Sequence, residues 1–112
     1  GLVNDHTNKK QESLAIAARR ELLEETGYHA QSLKRLIVGP TAPGLCPEIL
    51  TIYLASGLKK KGKGGGVELE SILVHEVALK RALPWLRQME KKGKWIDPKV
   101  YLGIYFLNKR RR

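Results

Sequence analysis

Apolar and polar residues along the chain form patterns typical of helices and strands. From Glu12 to Gly27 apolar residues recur three and four apart, which indicates a helix with one apolar stripe, and glycine is favoured just past a helix end. Segments rich in branched and aromatic residues predict strands. The predicted helices cover residues 12–26, 79–92 and 98–109, and the predicted strands cover residues 33–39, 49–56 and 72–77.

Glycine, proline and polar residues mark the segments between these elements. Residues 2–11 predict a loop, and a proline-rich loop joins the first two strands. The segment Lys59–Gly66 has four glycines among lysines and predicts a mobile loop. Pro84 implies that its helix begins or kinks there, whereas Asp97 before Pro98 is typical of a helix start.

The mixed order of helices and strands indicates an α/β sandwich, a sheet covered on both sides. The length of 112 residues suits one domain, residues 1–112, with no internal repeat or linker. Three strands make a thin sheet, so we expect the chain to be part of a longer protein. No apolar stretch is long enough to span a bilayer and no signal-peptide pattern is present, so we expect a soluble cytoplasmic protein.

The net charge of +10 would suit nucleic acid or a phosphate-rich small substrate. The basic runs around residues 59–63, 91–94 and 109–112 lack the aromatic interleaving of an RNA platform, which favours solvated charge. The lone Cys46 agrees with a reducing compartment and predicts a small structural side chain. Trp85 and Trp95 are interpreted as packing anchors.

A cluster of acid at the end of the first helix is the strongest chemical signal. Glu24 and Glu25 follow Glu21 by three and four residues, so the three carboxylates lie close together on the helix and would repel one another. Such a cluster indicates a cation-binding role, and oxygen ligands favour Mg²⁺, Mn²⁺ or Ca²⁺. The alternative is a solvated acidic face.

This region resembles the signature of the Nudix hydrolases. After Glu12 come seven residues and then the run Arg-Glu-Leu-Leu-Glu-Glu-Thr-Gly-Tyr at residues 20–28, with Tyr28 in place of an aliphatic residue. Ten residues separate Gly1 from Glu12 where the signature has five, which we interpret as a loop insertion. The resemblance implies a Nudix-type α/β/α sandwich with a mixed sheet, incomplete at its N-terminus, in which Gly1, Glu12 and Gly27 are structural.

The remainder is similar to the ADP-ribose and ADP-sugar pyrophosphatase branch of that superfamily. A proline about fifteen residues past the signature corresponds to Pro43, so Pro43 and Gly44 are implied to contact substrate. An acidic pair after the glycine-rich segment corresponds to Glu68 and Glu70. The resemblance implies that Glu68 is the base and Glu70 a further metal or water-positioning group, although the two roles could be exchanged.

The implied activity is hydrolysis of the pyrophosphate bond of ADP-ribose or a related nucleoside diphosphate sugar. Mg²⁺ or Mn²⁺ would be held by Glu21 and Glu25, with Glu24 bridging or supporting, and Arg20 would orient the carboxylates through an ion pair with Glu12 or a neighbouring residue. Members of this branch are longer and form homodimers, and UDP-sugars or dinucleotides remain open as substrates. The alternative is a non-catalytic module that binds RNA or a regulatory nucleotide through its basic surface.

Overall fold

The protein is described by a computed structural model, which covers residues 8–67 and 71–110 for the backbone and gives side chains from residue 13 onward. The chain divides into two compact units, Gly1–Val74 and His75–Arg112.

The first unit contains one helix and a two-stranded hairpin. Helix α1 spans Asn8–Thr26, strand β1 spans Tyr28–Pro40 and strand β2 spans Ile49–Lys60. The strands are antiparallel and pair along almost their full length, from Tyr28 opposite Lys60 to Pro40 opposite Ile49. Branched residues along both strands favour this extended pairing.

The hairpin carries one irregularity and one buried position. Register shifts between Arg35 and Ile37, so Leu36 is the extra residue of a β-bulge, which bends and twists a strand locally. Ala30, opposite Leu58 in the register, is 1% exposed and lies where α1 packs on β1. The core of this unit therefore sits at the end of the hairpin that adjoins the C-terminus of α1.

The second unit is a pair of helices. Helix α2 spans Leu79–Lys91 with Pro84 inside it, and helix α3 spans Pro98–Arg110. The two helices contact each other, and Leu86 on α2 is 5% exposed. The ring of Trp85 on α2 lies 5.0 Å from that of His75, which gives this histidine a packing contact.

Local chemistry at the chain turn explains where these two helices end and begin. Gly93 has a φ of +90°, and its N–H binds the carbonyl of Glu90 at 2.9 Å while the N–H of Lys94 binds that of Met89 at 3.0 Å. This pattern is a Schellman motif, which satisfies the last carbonyls of α2. Asp97 then caps α3, since its Oδ1 accepts a hydrogen bond from the N–H of Lys99 at 2.9 Å.

Several predictions from the sequence need correction. Residues 71–78 have no regular structure, so the predicted strand over 72–77 is wrong, and the described sheet has two antiparallel strands instead of a mixed set. Helix α1 begins at Asn8, four residues before Glu12. Lys59 and Lys60 belong to β2, not to the glycine-rich loop. The α/β content agrees with the expectation, whereas a sheet covered on both sides is not confirmed.

Two side chains are more exposed than expected. Cys46 is exposed with a free thiol, and Trp95 is 96% exposed, so neither is a packing residue within the described structure. Helix α2 begins at Leu79 as predicted, five residues before Pro84, so the alternative start at the proline is wrong. No helix in the described part of the chain is long and apolar enough to cross a membrane.

Candidate functional site

The acidic residues lie on the last two turns of α1, where the helix adjoins the hairpin. Glu21 and Glu24 are half-buried, while Arg20 and Glu25 are exposed. Glu21 and Glu25 are four residues apart in a continuous helix, so their side chains lie on one face. The structure therefore confirms the helical placement of the acidic run, which the sequence predicted.

Helix α1 ends by a different motif from α2. Gly27 has a φ of +81°, and its N–H binds the carbonyl of Leu23 at 2.8 Å. This single bond is the αL type of helix end. Thr26 strengthens it, because its hydroxyl donates to the carbonyl of Leu22 at 2.6 Å and accepts from the N–H of Tyr28 at 3.2 Å. The chain thereby turns directly from the acidic helix into β1.

The glycine-rich segment Lys61–Gly66, here called the glycine loop, lies against this helix end. The N–H groups of Gly65 and Gly66 donate to the carbonyls of Glu25 and Glu24, at 2.8 and 2.9 Å. On the other side of the turn, the N–H groups of Lys61 and Gly62 both donate to the carbonyl of Gly27, at 2.7 and 3.1 Å. The loop is thus hydrogen-bonded both to the last turn of α1, residues 23–26, here called the acidic turn, and to Gly27 itself. The sequence did not indicate this contact.

One sequence signal could have indicated this contact. Four glycines occur within five residues, Gly62–Gly66. Such density was interpreted as mobility, but glycine also permits close approach of one backbone to another. Close approach is what the structure shows.

The predicted substrate-contacting residues lie elsewhere in the first unit. Pro43 and Gly44 are exposed in the turn between β1 and β2, where the N–H groups of Leu45 and Cys46 bind the carbonyl of Ala42 at 3.0 and 2.9 Å. The acidic turn adjoins the opposite end of the hairpin. A strand of 13 residues at about 3.3 Å per residue separates the two ends by a path of roughly 40 Å. The described structure does not bring them together.

Other predicted site residues fall outside the described structure. Gly1, Glu68 and Glu70 are not among the described residues, and of Glu12 only the backbone, within α1, is described. The ion pair predicted between Arg20 and Glu12 is therefore untested. The adjacent Arg19 has a described partner: its guanidinium donates to the backbone carbonyl of Gln31 at 3.3 Å, which ties α1 to β1.

The donor set on α1 consists of carboxylate oxygens, which suit Mg²⁺ or Mn²⁺. Within residues 13–67 and 71–110, no three acidic, histidine or cysteine side chains are grouped closely enough to hold a metal ion. A site with fewer than three such side chains is compatible with Mg²⁺, because proteins usually hold that ion through one or two carboxylates together with water and substrate phosphates. Glu21 and Glu25 could supply such a pair.

The chain is similar in sequence to known proteins that include a methanol dehydrogenase activator and several GDP-mannose pyrophosphatases. The chain is 35% identical over 100 residues to a methanol dehydrogenase activator from Bacillus methanolicus, covering 88% of the chain and 52% of that protein. It is 33% identical over 94 residues to a GDP-mannose pyrophosphatase from Escherichia coli O1:K1, covering 82% of the chain and 47% of that protein. These similarities support a Nudix-like relationship.

The chain spans about half the length of these curated relatives. No family model matches it. The Nudix-like relationship therefore rests on the two similarities and on the acidic run of α1, which agrees with the resemblance noted in the sequence.

Proposed function

We propose that the protein containing this chain is a divalent-metal-dependent hydrolase that splits the pyrophosphate bond of a nucleoside diphosphate sugar. The observation that carries the proposal is the acidic run at the end of α1, in a chain similar over 82% of its length to a GDP-mannose pyrophosphatase. Water attacks one phosphorus atom and the bond from that atom to the bridging oxygen breaks. The products are a nucleoside monophosphate and a sugar phosphate.

Glu21 and Glu25 would hold the metal, since they lie one turn apart on the same face of α1. Glu24 would bridge or support them, and Arg20 would orient the carboxylates through Glu12. When bound, a divalent ion neutralises phosphate oxygens and makes water more acidic. The cofactor in this proposal is Mg²⁺, with Mn²⁺ as the alternative.

The proton from water needs an acceptor. Glu68 and Glu70 follow Gly66 by two and four positions in the sequence, and Gly66 is hydrogen-bonded to Glu24. The short distance in sequence from Gly66 to the acidic pair supports the proposal that the pair acts together with the carboxylates of α1. Glu68 would be the base, and Glu70 would be a metal or water-positioning group. Pro43 and Gly44 remain proposed substrate contacts, in a part of the hairpin distant along the chain from the acidic turn.

The identity of the sugar nucleotide substrate is the more specific part of the proposal. The resemblance of the sequence favours ADP-ribose or an ADP-sugar, whereas the named relative acts on GDP-mannose. We therefore propose a nucleoside diphosphate sugar as the substrate class, in a homodimeric cytoplasmic enzyme. ADP-ribose and GDP-mannose are the first two compounds to compare.

The test is product analysis with the full-length protein, Mg²⁺ and a panel of ADP-ribose, GDP-mannose and a UDP-sugar. We expect nucleoside monophosphate from at least one compound, and we expect EDTA to abolish it. Glu25→Gln should lower the rate by about 100-fold or more, because a metal ligand is lost. Glu90→Gln on α2 is the control, since it removes one carboxylate charge far from α1 in the sequence and should leave the rate unchanged.

A second function is favoured by the net charge of +10. In that case the protein would bind RNA or a regulatory nucleotide without hydrolysis. Its signature would be an affinity that falls steeply as salt rises, since phosphate contacts release counterions. Steep salt dependence without metal-dependent release of a nucleoside monophosphate would favour this binding function over the hydrolase.

A further inference from the structure

Two backbone carbonyls of the acidic turn depend on a distant segment for their hydrogen bonds. An αL helix end supplies one bond, here from Gly27 to Leu23, and leaves the next carbonyls without a donor from the helix itself. Those carbonyls belong to Glu24 and Glu25. Gly66 and Gly65 of the glycine loop provide the donors.

The glycine loop and the end of α1 can approach this closely only because each has a glycine at the point of contact. A Cβ atom on Gly64 would lie 2.5 Å from the carbonyl carbon of Thr26 and 2.6 Å from the carbonyl oxygen of Glu25. A Cβ atom on Gly27 would lie 2.2 Å from the carbonyl oxygen of Gly62. All of these neighbours are backbone atoms, which cannot move aside as a flexible side chain can. A side chain at either glycine would push the loop and the helix apart.

We propose that Gly64 is a positioning residue for the metal-binding carboxylates of α1. Its close approach allows the next two glycines to bind the carbonyls of Glu24 and Glu25, the residues that carry part of the acidic cluster. This inference rests on the proposed metal site and extends it to a loop that contributes no side-chain ligand.

The physical reason is that helix ends fray. Glu21 lies one turn before Glu25 and is held within the helix, whereas Glu24 and Glu25 belong to its last turn. Loosening that turn would move their carboxylates relative to that of Glu21. Mg²⁺ and Mn²⁺ sites need their ligands held in a defined arrangement, so the glycine loop should raise metal affinity by fixing the last turn.

The experiment compares alanine substitutions at glycines that share a left-handed backbone but differ in their neighbours. Gly64 has a φ of +73°, and backbone atoms lie within 3 Å of the position that a Cβ would occupy. Gly65 has a φ of +96° with its nearest such neighbour at 3.5 Å, an ordinary contact. Gly93, which follows α2, has a φ of +90° and open space around it. Backbone strain is common to all three substitutions, and the close approach is specific to Gly64.

Mn²⁺ binding to the full-length protein, followed by electron paramagnetic resonance, is the first readout. Gly64→Ala should weaken Mn²⁺ binding by about 10- to 100-fold, the range seen when supporting contacts of a metal site are lost. Gly65→Ala should have a smaller effect, and Gly93→Ala should leave binding within about twofold of wild type. Equal Mn²⁺ affinity in Gly64→Ala and wild type would overturn the inference.

A double-mutant cycle with Glu25→Gln then separates positioning from general loss of stability. If Gly64 acts through the carboxylates, Gly64→Ala should weaken Mn²⁺ binding much less in the Glu25→Gln background. Full additivity would count against the inference. In the hydrolysis assay, Gly64→Ala should raise the Mg²⁺ concentration needed for half-maximal rate while leaving the KM for the sugar nucleotide at saturating Mg²⁺ unchanged.

Amide hydrogen exchange keeps the test decisive if Gly64→Ala does not fold. In the wild type, the amides of Gly65 and Gly66 should exchange slowly, and Gly27→Ala, which disrupts the same contact from the helix side, should remove that protection. Rapid exchange in the wild type would refute the contact. Failure of the proposed function is distinguishable, because it would appear as Mn²⁺ binding without hydrolysis of any sugar nucleotide. A wild type that binds no Mn²⁺ would overturn the inference itself.

Discussion

The hydroxyl of Tyr101 on α3 donates a hydrogen bond to the carboxylate of Glu90 on α2, and this bond raises the pKa of Tyr101 above its usual value. Ionised tyrosine could no longer donate, and its charge would repel the carboxylate. A tyrosine whose pKa is raised by folding stabilises the fold fully below its unfolded pKa of about 10. That contribution is lost as pH rises through the raised pKa of the folded state.

We therefore expect the unfolding midpoint of the wild type to fall more steeply above pH 10 than that of Tyr101→Phe. Near pH 8 the wild type should be slightly the more stable of the two. Thermal unfolding monitored by circular dichroism between pH 8 and 11 measures both effects. Tyr105→Phe, on the same helix, is the matched control and should keep the steep alkaline fall.

Asp97 gives the opposite pH dependence at the start of α3. Its Oδ2 lies 2.9 Å from the ammonium of Lys99, and hydrogen bonds from Lys99, first from its side chain and then from its backbone N–H, lower the pKa of Asp97. A carboxyl whose pKa is lowered by folding stabilises the fold above its unfolded pKa of about 3.9, and this is lost as pH falls through the lowered value. Asp97→Ala should reduce stability at pH 6 and flatten the dependence between pH 5 and 2.

Asp97→Asn is the informative partner of that variant. Asparagine caps helices about as well as aspartate, so it should retain much of the stability at pH 6 while removing the acid dependence. The measurement is urea unfolding at pH 6, 4 and 2.5. An unchanged acid dependence in Asp97→Asn would show that other carboxyls control it.

Thr26 is expected to matter for stability through its hydroxyl. Thr26→Val keeps the shape of the side chain but removes the bonds to Leu22 and Tyr28 at the end of α1. We expect a loss of about 1–3 kcal/mol in the free energy of unfolding, since each such bond contributes roughly 0.5–1.5 kcal/mol. Thr26→Ser should retain most of it. Urea denaturation of the three proteins side by side is the measurement.

Leu86 tests the small core of the second unit. It is 5% exposed, whereas Leu83 on the same helix is 42% exposed. Leu86→Ala should cost about 2–5 kcal/mol, because it leaves a cavity, and Leu83→Ala should cost clearly less. Equal losses in thermal unfolding would mean that both leucines are covered to the same extent in solution.

Local chemistry made the helix ends predictable from the sequence. Gly27 ends α1, and Asp97 with Pro98 begins α3, as their residue types indicate. In these places one or two residues decide the backbone conformation. The start of α1 was less visible, because the residues from Asn8 to Gln11 carry no apolar stripe although lysine and glutamine support a helix.

The strand predicted at residues 72–77 is absent because strand formation depends on pairing and not only on local residue types. Its run of Ile72, Leu73 and Val74 has high strand propensity, but a strand exists only when it pairs with another. No partner strand is described beside it, and Leu73 is 82% exposed. Contacts between distant segments were also invisible: no local pattern indicates that Gly64 approaches the backbone of Thr26.

The glycine loop has a consequence for how phosphate can be recognised. Loops rich in glycine often bind anions through a nest of free backbone N–H groups. Here the N–H groups of Lys61 and Gly62 are taken by the carbonyl of Gly27, and those of Gly65 and Gly66 by α1. These four donors point into the protein's own backbone. A diphosphate approaching this loop cannot use these four groups, so its binding should depend more on positively charged side chains and on cations than on main-chain N–H groups.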